Sequence, residues 1–146
     1  MNYVLIDLEM GEVDPKDRER LGGMAKEVIQ LGAVLVDEGF RITKEFNSYV
    51  KPQIGYVSRY VQRMTGISNG ALRRAPGFPE VLQAFSQWLP EGQIIAMSWS
   101  DSDARQLRGE MRAKKLREKK VEALLSGWVD LQTDFGHLLG LRERCA

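Results

Sequence analysis

The sequence predicts an α/β fold, a mixed five-stranded sheet made of an antiparallel three-strand meander followed by parallel strands, with helices flanking it. Three observations carry this expectation. Short runs rich in β-branched residues occupy positions 3–6 and 26–37, Gly39 joins the second to an alternating stretch at 40–50, and beyond position 79 helix-spaced apolar residues give way to short apolar runs. With 146 residues, 43% hydrophobic and 28% charged, residues 1–146 are expected to form one domain, and the balance excludes a disordered, collagen-like or coiled-coil chain.

In order along the chain, Tyr3-Val-Leu-Ile6 reads as a buried central strand that ends near Asp7. Residues 12–23, with Pro15, Gly22, Gly23 and many charges, cannot bury a face and read as a mobile loop or loose helical turn. The second strand covers residues 26–37. Gly39 turns the chain into the third, where Phe40, Ile42, Lys44 and Phe46 alternate with polar neighbours until Pro52. Ser58 can cap a helix containing Tyr60, Val61 and Met64, and residues 65–70 are punctuated like a turn. Pro79 suits the first turn of a helix whose Val81, Leu82, Phe85, Trp88 and Leu89 share one face, closed by Pro90. Residues 93–97 read as the fourth strand, with a polar crest at 98–103 opening a long basic helix. Val129-Asp-Leu131 is the fifth strand, and residues 134–141 a short last helix.

No apolar run approaches membrane-spanning length and no secretory leader pattern is present, so a cytoplasmic protein without a membrane partner is expected. The lone Cys145 leaves no intramolecular disulfide and no cysteine zinc site, and the lone His137 excludes a histidine metal cluster. Charge is unevenly distributed. Residues 1–50 hold ten acids against six bases, residues 51–100 five bases against two acids, and residues 104–120 carry eight bases against Glu110 and Glu118. The last stretch could attract a polyanion or could be an ordinary solvated helix face.

Asp7 and Glu9 lie two apart, so on a strand their side chains leave the same face. Paired carboxylates of this kind can hold Mg²⁺ or Mn²⁺, and two such ions are the usual device for in-line phosphodiester displacement. An Asp-x-Glu also arises by chance at solvated strand ends. Asp103 strengthens the reading, because the ends of neighbouring central strands converge on one crevice. Asp101 could be the inward acid instead, and either could simply cap the following helix.

In combination, these segments resemble the DnaQ-like 3'-5' exonucleases of the DEDD superfamily (the DEDDh group), close to the histone-mRNA and small-RNA exoribonucleases and the sporulation-inhibitor exonucleases. The likeness is carried by Ile6-Asp-Leu-Glu-Met10, Glu27-Val-Ile-Gln-Leu-Gly-Ala-Val34, the turn at Thr65-Gly66-Ile67, Ser98-Trp-Ser-Asp-Ser-Asp-Ala-Arg-Gln-Leu107 and Trp128-Val-Asp-Leu-Gln132. The resemblance implies a ribonuclease H-like sheet and a site for two ions, Mg²⁺ or Mn²⁺. Asp7 would bridge both, Glu9 would hold one and orient the attacking water, and Asp103 would serve the second. It also implies that Met10, Gly11, Met64 and Thr65 lie where the terminal nucleotide is held, that Trp99 marks an RNA-trimming relative, and that Arg105 opens a basic run near the nucleic-acid groove. Met64 is equally well read as a core filler.

The family's last motif, a His followed five positions later by an Asp on a final helix, has no counterpart here, since Arg142 stands five positions after His137. His137 reads as an ordinary surface histidine. The expectation is therefore an exonuclease-like domain, C-terminally truncated relative to the family. It would act on the 3' end of single-stranded nucleic acid, RNA before DNA, and be weak or inactive without the general base and fourth carboxylate. The alternative is a non-catalytic nucleic-acid-binding or assembly module on the same scaffold. A sheet face left uncovered by the missing helix would be open to a second copy in a homodimer.

Overall fold

The structure, a computed structural model, describes residues 1–140. Its five strands are β1 (Asn2–Glu12), β2 (Lys26–Val36), β3 (Ile42–Tyr49), β4 (Ile94–Ser98) and β5 (Val129–Asp130), in the order β3-β2-β1-β4-β5. β1–β2 and β2–β3 pair antiparallel, β1–β4 and β4–β5 parallel, as the sequence pattern implied. The helices are α1 (Arg59–Thr65), α2 (Asn69–Leu72), α3 (Phe78–Trp88), α4 (Ser102–Ala113), α5 (Lys119–Ser126) and α6 (Leu131–Leu138).

Alternation on β1 places Val4, Ile6 and Leu8 in the main core with Leu31, Ala33 and Leu35 of β2 and Ala96 of β4. Against them pack Phe78, Val81, Leu82 and Phe85 of α3, Leu107 and Met111 of α4, and Val121 and Leu124 of α5. Complete burial of Phe78 and Phe85 contributes roughly 1.5–3 kcal/mol each. Phe85 also meets Trp88 and Phe46 at ring separations of 5.8 and 5.4 Å. The opposite face, with Leu5, Val34 and Met97, is only half-buried.

A register shift between Glu9 and Met10 pairs Glu9 with Gln30 but Met10 with Val28, which leaves Ile29 as a bulge on β2. The bulge lets two successive side chains be buried in different places. Val28 enters the main core, while Ile29 joins Val57, Val61, Ile67 and Leu72 in a second cluster under α1 and α2.

Several sequence expectations require correction. β1 does not end near Asp7. Pairing with β4 stops at Leu5–Met97, but pairing with β2 continues to Glu12, so both acids lie within a strand that outruns one neighbour. Residues 12–23 do bury a face: Pro15–Leu21 form a 3-10 turn capped by Asp14, with Leu21 and Val13 in the interior. The long basic helix is two helices. α4 ends in a Schellman turn, with the Leu116 N–H donating to Met111 O (2.8 Å), the Lys115 N–H donating to Arg112 O (3.2 Å), and Lys115 at φ 55°.

Caps were more legible. Ser58 Oγ accepts from the Val61 N–H at 3.2 Å, and Gly66 ends α1 at φ 75°. Ser68 Oγ accepts from the Ala71 N–H at 3.1 Å, so a short α2 stands where only a turn was read. The last helix runs over Leu131–Leu138, earlier than expected, and residue 141 of the expected helix lies outside the described residues, as do Arg142 and Cys145. Along β3, Thr43, Lys44, Glu45 and Asn47 are exposed, while β5 has two residues only.

α4 is tied to the sheet by a buried ionic network. Lys114 Nζ lies 2.8 Å from both Glu27 and Glu110, carboxylates with no solvent exposure. Glu110 also accepts from the Val28 N–H, and Glu27 from the N–H groups of Gln53, Ile54 and Gly55. Burial would raise Glu27, but the ammonium and these N–H groups outweigh it and hold the carboxyl below its ordinary range. Glu110 moves the other way, because burial outweighs the help of Lys114 and of fewer backbone donors.

Candidate functional site

Where β1 extends past β4, the N–H of Leu8 has no strand partner on that side. Asp103, in the first turn of α4, fills the gap: its buried carboxylate accepts from the Leu8 N–H at 2.9 Å. The choice between Asp101 and Asp103 is thereby resolved. Asp103 is the inward acid, while Asp101 occupies the N-cap position and pairs with Arg105 at 3.2 Å.

Glu9 is half-buried beside the bulge, and Asp7 is exposed. Burial raises the Glu9 carboxyl above its usual range, and the charges of Asp7 and Asp103 raise it further. Burial likewise lifts Asp103, with Asp7 adding to the effect despite the Leu8 hydrogen bond. Neighbouring negative charge thus opposes ionisation of Glu9 and Asp103 at one end of the sheet, and a divalent cation would relieve that repulsion. Among the described residues no three His, Cys, Asp or Glu side chains are gathered tightly enough to form a cation cage. The donor chemistry still fits Mg²⁺ or Mn²⁺. These ions take hard oxygen ligands, and Mg²⁺ commonly uses one or two carboxylates, keeping waters and substrate phosphates for the rest.

Beside Asp7, the half-open sheet face forms a hollow of about 570 Å³ lined by Leu5, Gly32, Val34, Trp99 and Leu131, among others. Trp99 is 51% exposed, with the Phe135 ring 6.3 Å away. A slightly larger hollow of about 590 Å³ lies at the far end of α4, around Lys51, Phe78 and Lys115, and contains none of the three acids. Chemistry, not volume, therefore locates the site.

The other expected contacts are scattered. Met64 is 69% exposed and is no core filler. Thr65 Oγ1 donates to Val61 O and accepts from the Ile67 N–H, so its hydroxyl is engaged in ending α1. Met10 packs half-buried against the core. Gly11 is buried where an added Cβ would stand 2.7 Å from the Tyr56 carbonyl oxygen. Arg105 is exposed and paired with Asp101. His137 is exposed on α6.

The basic run at 105–120 proves largely committed within the fold. Arg108 donates to Leu125 O, Lys114 is buried between carboxylates, Arg117 pairs with Glu122, and Lys120 pairs with Glu91. The sequence reading missed the Glu27–Lys114–Glu110 network; its only signals were a glutamate in an otherwise apolar strand and a Glu–Lys pair four apart.

An exonuclease family model, RNase_T, matches residues 4–125. Among curated relatives, the chain is 31% identical to the zebrafish (Danio rerio) ERI1 exoribonuclease 2, over 75% of this chain and 23% of that protein. It is 28% identical to the 3'-5' exonuclease DinG of Bacillus subtilis, over 64% of this chain and 9% of that protein. The chain thus spans less than a quarter of either relative. Among solved structures, the nuclease domain of 3'hExo, a DEDDh family member bound to rAMP, superposes with a TM-score of 0.79 at 20% identity, over 96% of this chain and 71% of that one. E. coli Exonuclease I in complex with a dT13 oligonucleotide gives 0.73 at 14% identity, over 97% of this chain and 30% of that one. These two likenesses concern the fold.

Proposed function

The chain belongs to the RNase_T exonuclease family, and from that premise we propose that residues 1–146 form one unit that removes nucleotides from the 3' end of single-stranded nucleic acid, RNA before DNA. Asp7, Glu9 and Asp103 are assigned as the carboxylates that hold Mg²⁺ or Mn²⁺. A bound cation would supply Lewis-acid stabilisation of charge on the phosphate and acidify the attacking water. The observation that carries the reading is the Asp103–Leu8 hydrogen bond, by which α4 delivers an acid to the strand that bears the other two. Met10, Gly11, Met64, Thr65, Trp99 and Arg105 are assigned to nucleic-acid binding, the first four at the terminal nucleotide, with Trp99 favouring an RNA substrate. Residues 1–146 hold no His followed five positions later by Asp, and loss of a general base is typically worth ~10²–10⁴ in rate. Slow turnover by these residues is therefore part of the proposal. So is a second copy packed on the half-open sheet face, which sedimentation at rising concentration would reveal.

The test uses 5'-labelled single-stranded RNA and DNA with Mn²⁺. Stepwise shortening from the 3' end is expected, faster for RNA, and absent in Asp7→Asn and Asp103→Asn. The asparagine at 103 retains an oxygen for the Leu8 N–H, so loss of cleavage there reports charge rather than unfolding. Equal cleavage by all three proteins would overturn the assignment. Binding without any shortening would favour the non-catalytic module.

A further inference from the structure

Between Glu45 and Glu80 the chain carries no acid, while Lys51, Arg59, Arg63, Arg73 and Arg74 all fall within that span. The four arginines are exposed, and among the described residues none has an ion-pair partner. They ride on α1 and on the turn after α2, two pieces held together over the cluster of Ile29, Val57, Val61, Ile67 and Leu72. Arg59 and Arg63 are four apart on α1 and share one side of it, and Tyr60, 68% exposed, stands three residues before Arg63, within neighbour spacing of that side chain. This arrangement contrasts with the 105–120 run, whose cations are largely engaged within the fold.

The same lobe is fixed relative to the acids. Glu12 and Tyr56 exchange backbone hydrogen bonds at 2.8 and 2.9 Å, and Glu12 lies three residues beyond Glu9, about 10 Å along the strand.

Resting on the reading above, we infer that the α1–α2 lobe is a track for the 5'-ward part of a single-stranded nucleic acid whose 3' end lies at the acids. Arg59, Arg63, Arg73 and Arg74 neutralise its phosphates, and Tyr60 offers a ring for one base. An acidic peptide would satisfy the arginines but would gain nothing from the solvated aromatic ring that α1 carries alongside two of them. Stacking surfaces interleaved with unpaired cations are the usual means of holding single strands.

Anisotropy of a labelled RNA of about ten nucleotides, within the usual single-strand site sizes, tests the track with Asp7→Asn protein in Ca²⁺, which keeps the strand intact. Four neutralised phosphates give a slope of log K against log salt near −3, at about −0.7 per contact. Arg73→Ala with Arg74→Ala should bring the slope about 1.4 closer to zero, and the corresponding lysine pair should restore it. Tyr60→Ala should weaken binding roughly tenfold at an unchanged slope. A dinucleotide, which would occupy the contacts at Met64 and Thr65 but is too short to reach Arg73 and Arg74, should bind the Arg73→Ala, Arg74→Ala variant and its parent alike. Unchanged slopes, failure of the parent protein to bind RNA at low salt, or tighter binding of a polyglutamate of equal charge would each overturn the inference. The outcome is separate from the cleavage assay: a lost slope with cleavage that survives Asp7→Asn would keep the track and sink the carboxylate assignment.

Discussion

Lys114→Met removes the one cation shared by Glu27 and Glu110, two side chains with no solvent exposure, each 2.8 Å from its nitrogen. Methionine retains most of the volume, so the change isolates charge. Breaking a buried pair by deleting one partner costs about 3–5 kcal/mol. The ammonium also stands 4.9 Å from the Phe78 ring centroid, a contact worth up to ~2 kcal/mol when desolvated. Against a total stability of about 5–15 kcal/mol, a loss near 4 is a large share. With a urea m-value of ~2 kcal/mol/M, the midpoint should fall by about 2 M, which tryptophan fluorescence can follow.

The pH dependence provides a second reading. Glu27 sits below its ordinary range, so its contribution is present above the unfolded pKa and lost as pH falls through the lower folded value. Glu110 is raised, so it favours the folded state in acid, and its contribution is lost as pH rises through its folded value. Without Lys114 both carboxyls must be raised, so the deficit of the variant should be larger at about pH 8 than at about pH 5. The triple variant Glu27→Gln, Lys114→Met, Glu110→Gln should recover most of the loss. A deficit under about 1 kcal/mol, or one independent of pH, would refute the account of the network.

Gly11→Ala should destabilise the protein by about 1–3 kcal/mol, measured by urea unfolding, because the new methyl would stand 2.7 Å from the Tyr56 carbonyl oxygen, a backbone atom with little room to yield. Lys115→Gly should stabilise it by about 0.5–1 kcal/mol, seen as a higher melting temperature, because the residue at the end of the Schellman turn holds φ 55°.

The sheet was legible because its signals are local. β-Branched runs, Gly39 and the alternation after it define the meander, and the apolar face of α3 between Pro79 and Pro90 defines its own limits. Elements set by long-range partners were not. β1 continues past Asp7 because β2 remains beside it, and the residues after it, including Gly11, carry no strand signature of their own. The α4–α5 break was hidden because a lysine holds the position that glycine usually marks. In the candidate site, the spacing of Asp7 and Glu9 was readable. The choice of Asp103 over Asp101 required a backbone N–H that only the early end of β4 pairing leaves free.

The two margins of the sheet also bear on how copies of this chain can meet. On one side β3 lines its outer rim with Lys44 and Glu45 in water, and on the other β5 offers two residues. Neither rim is a good template for an incoming strand. Growth into fibrils by edge addition is therefore disfavoured.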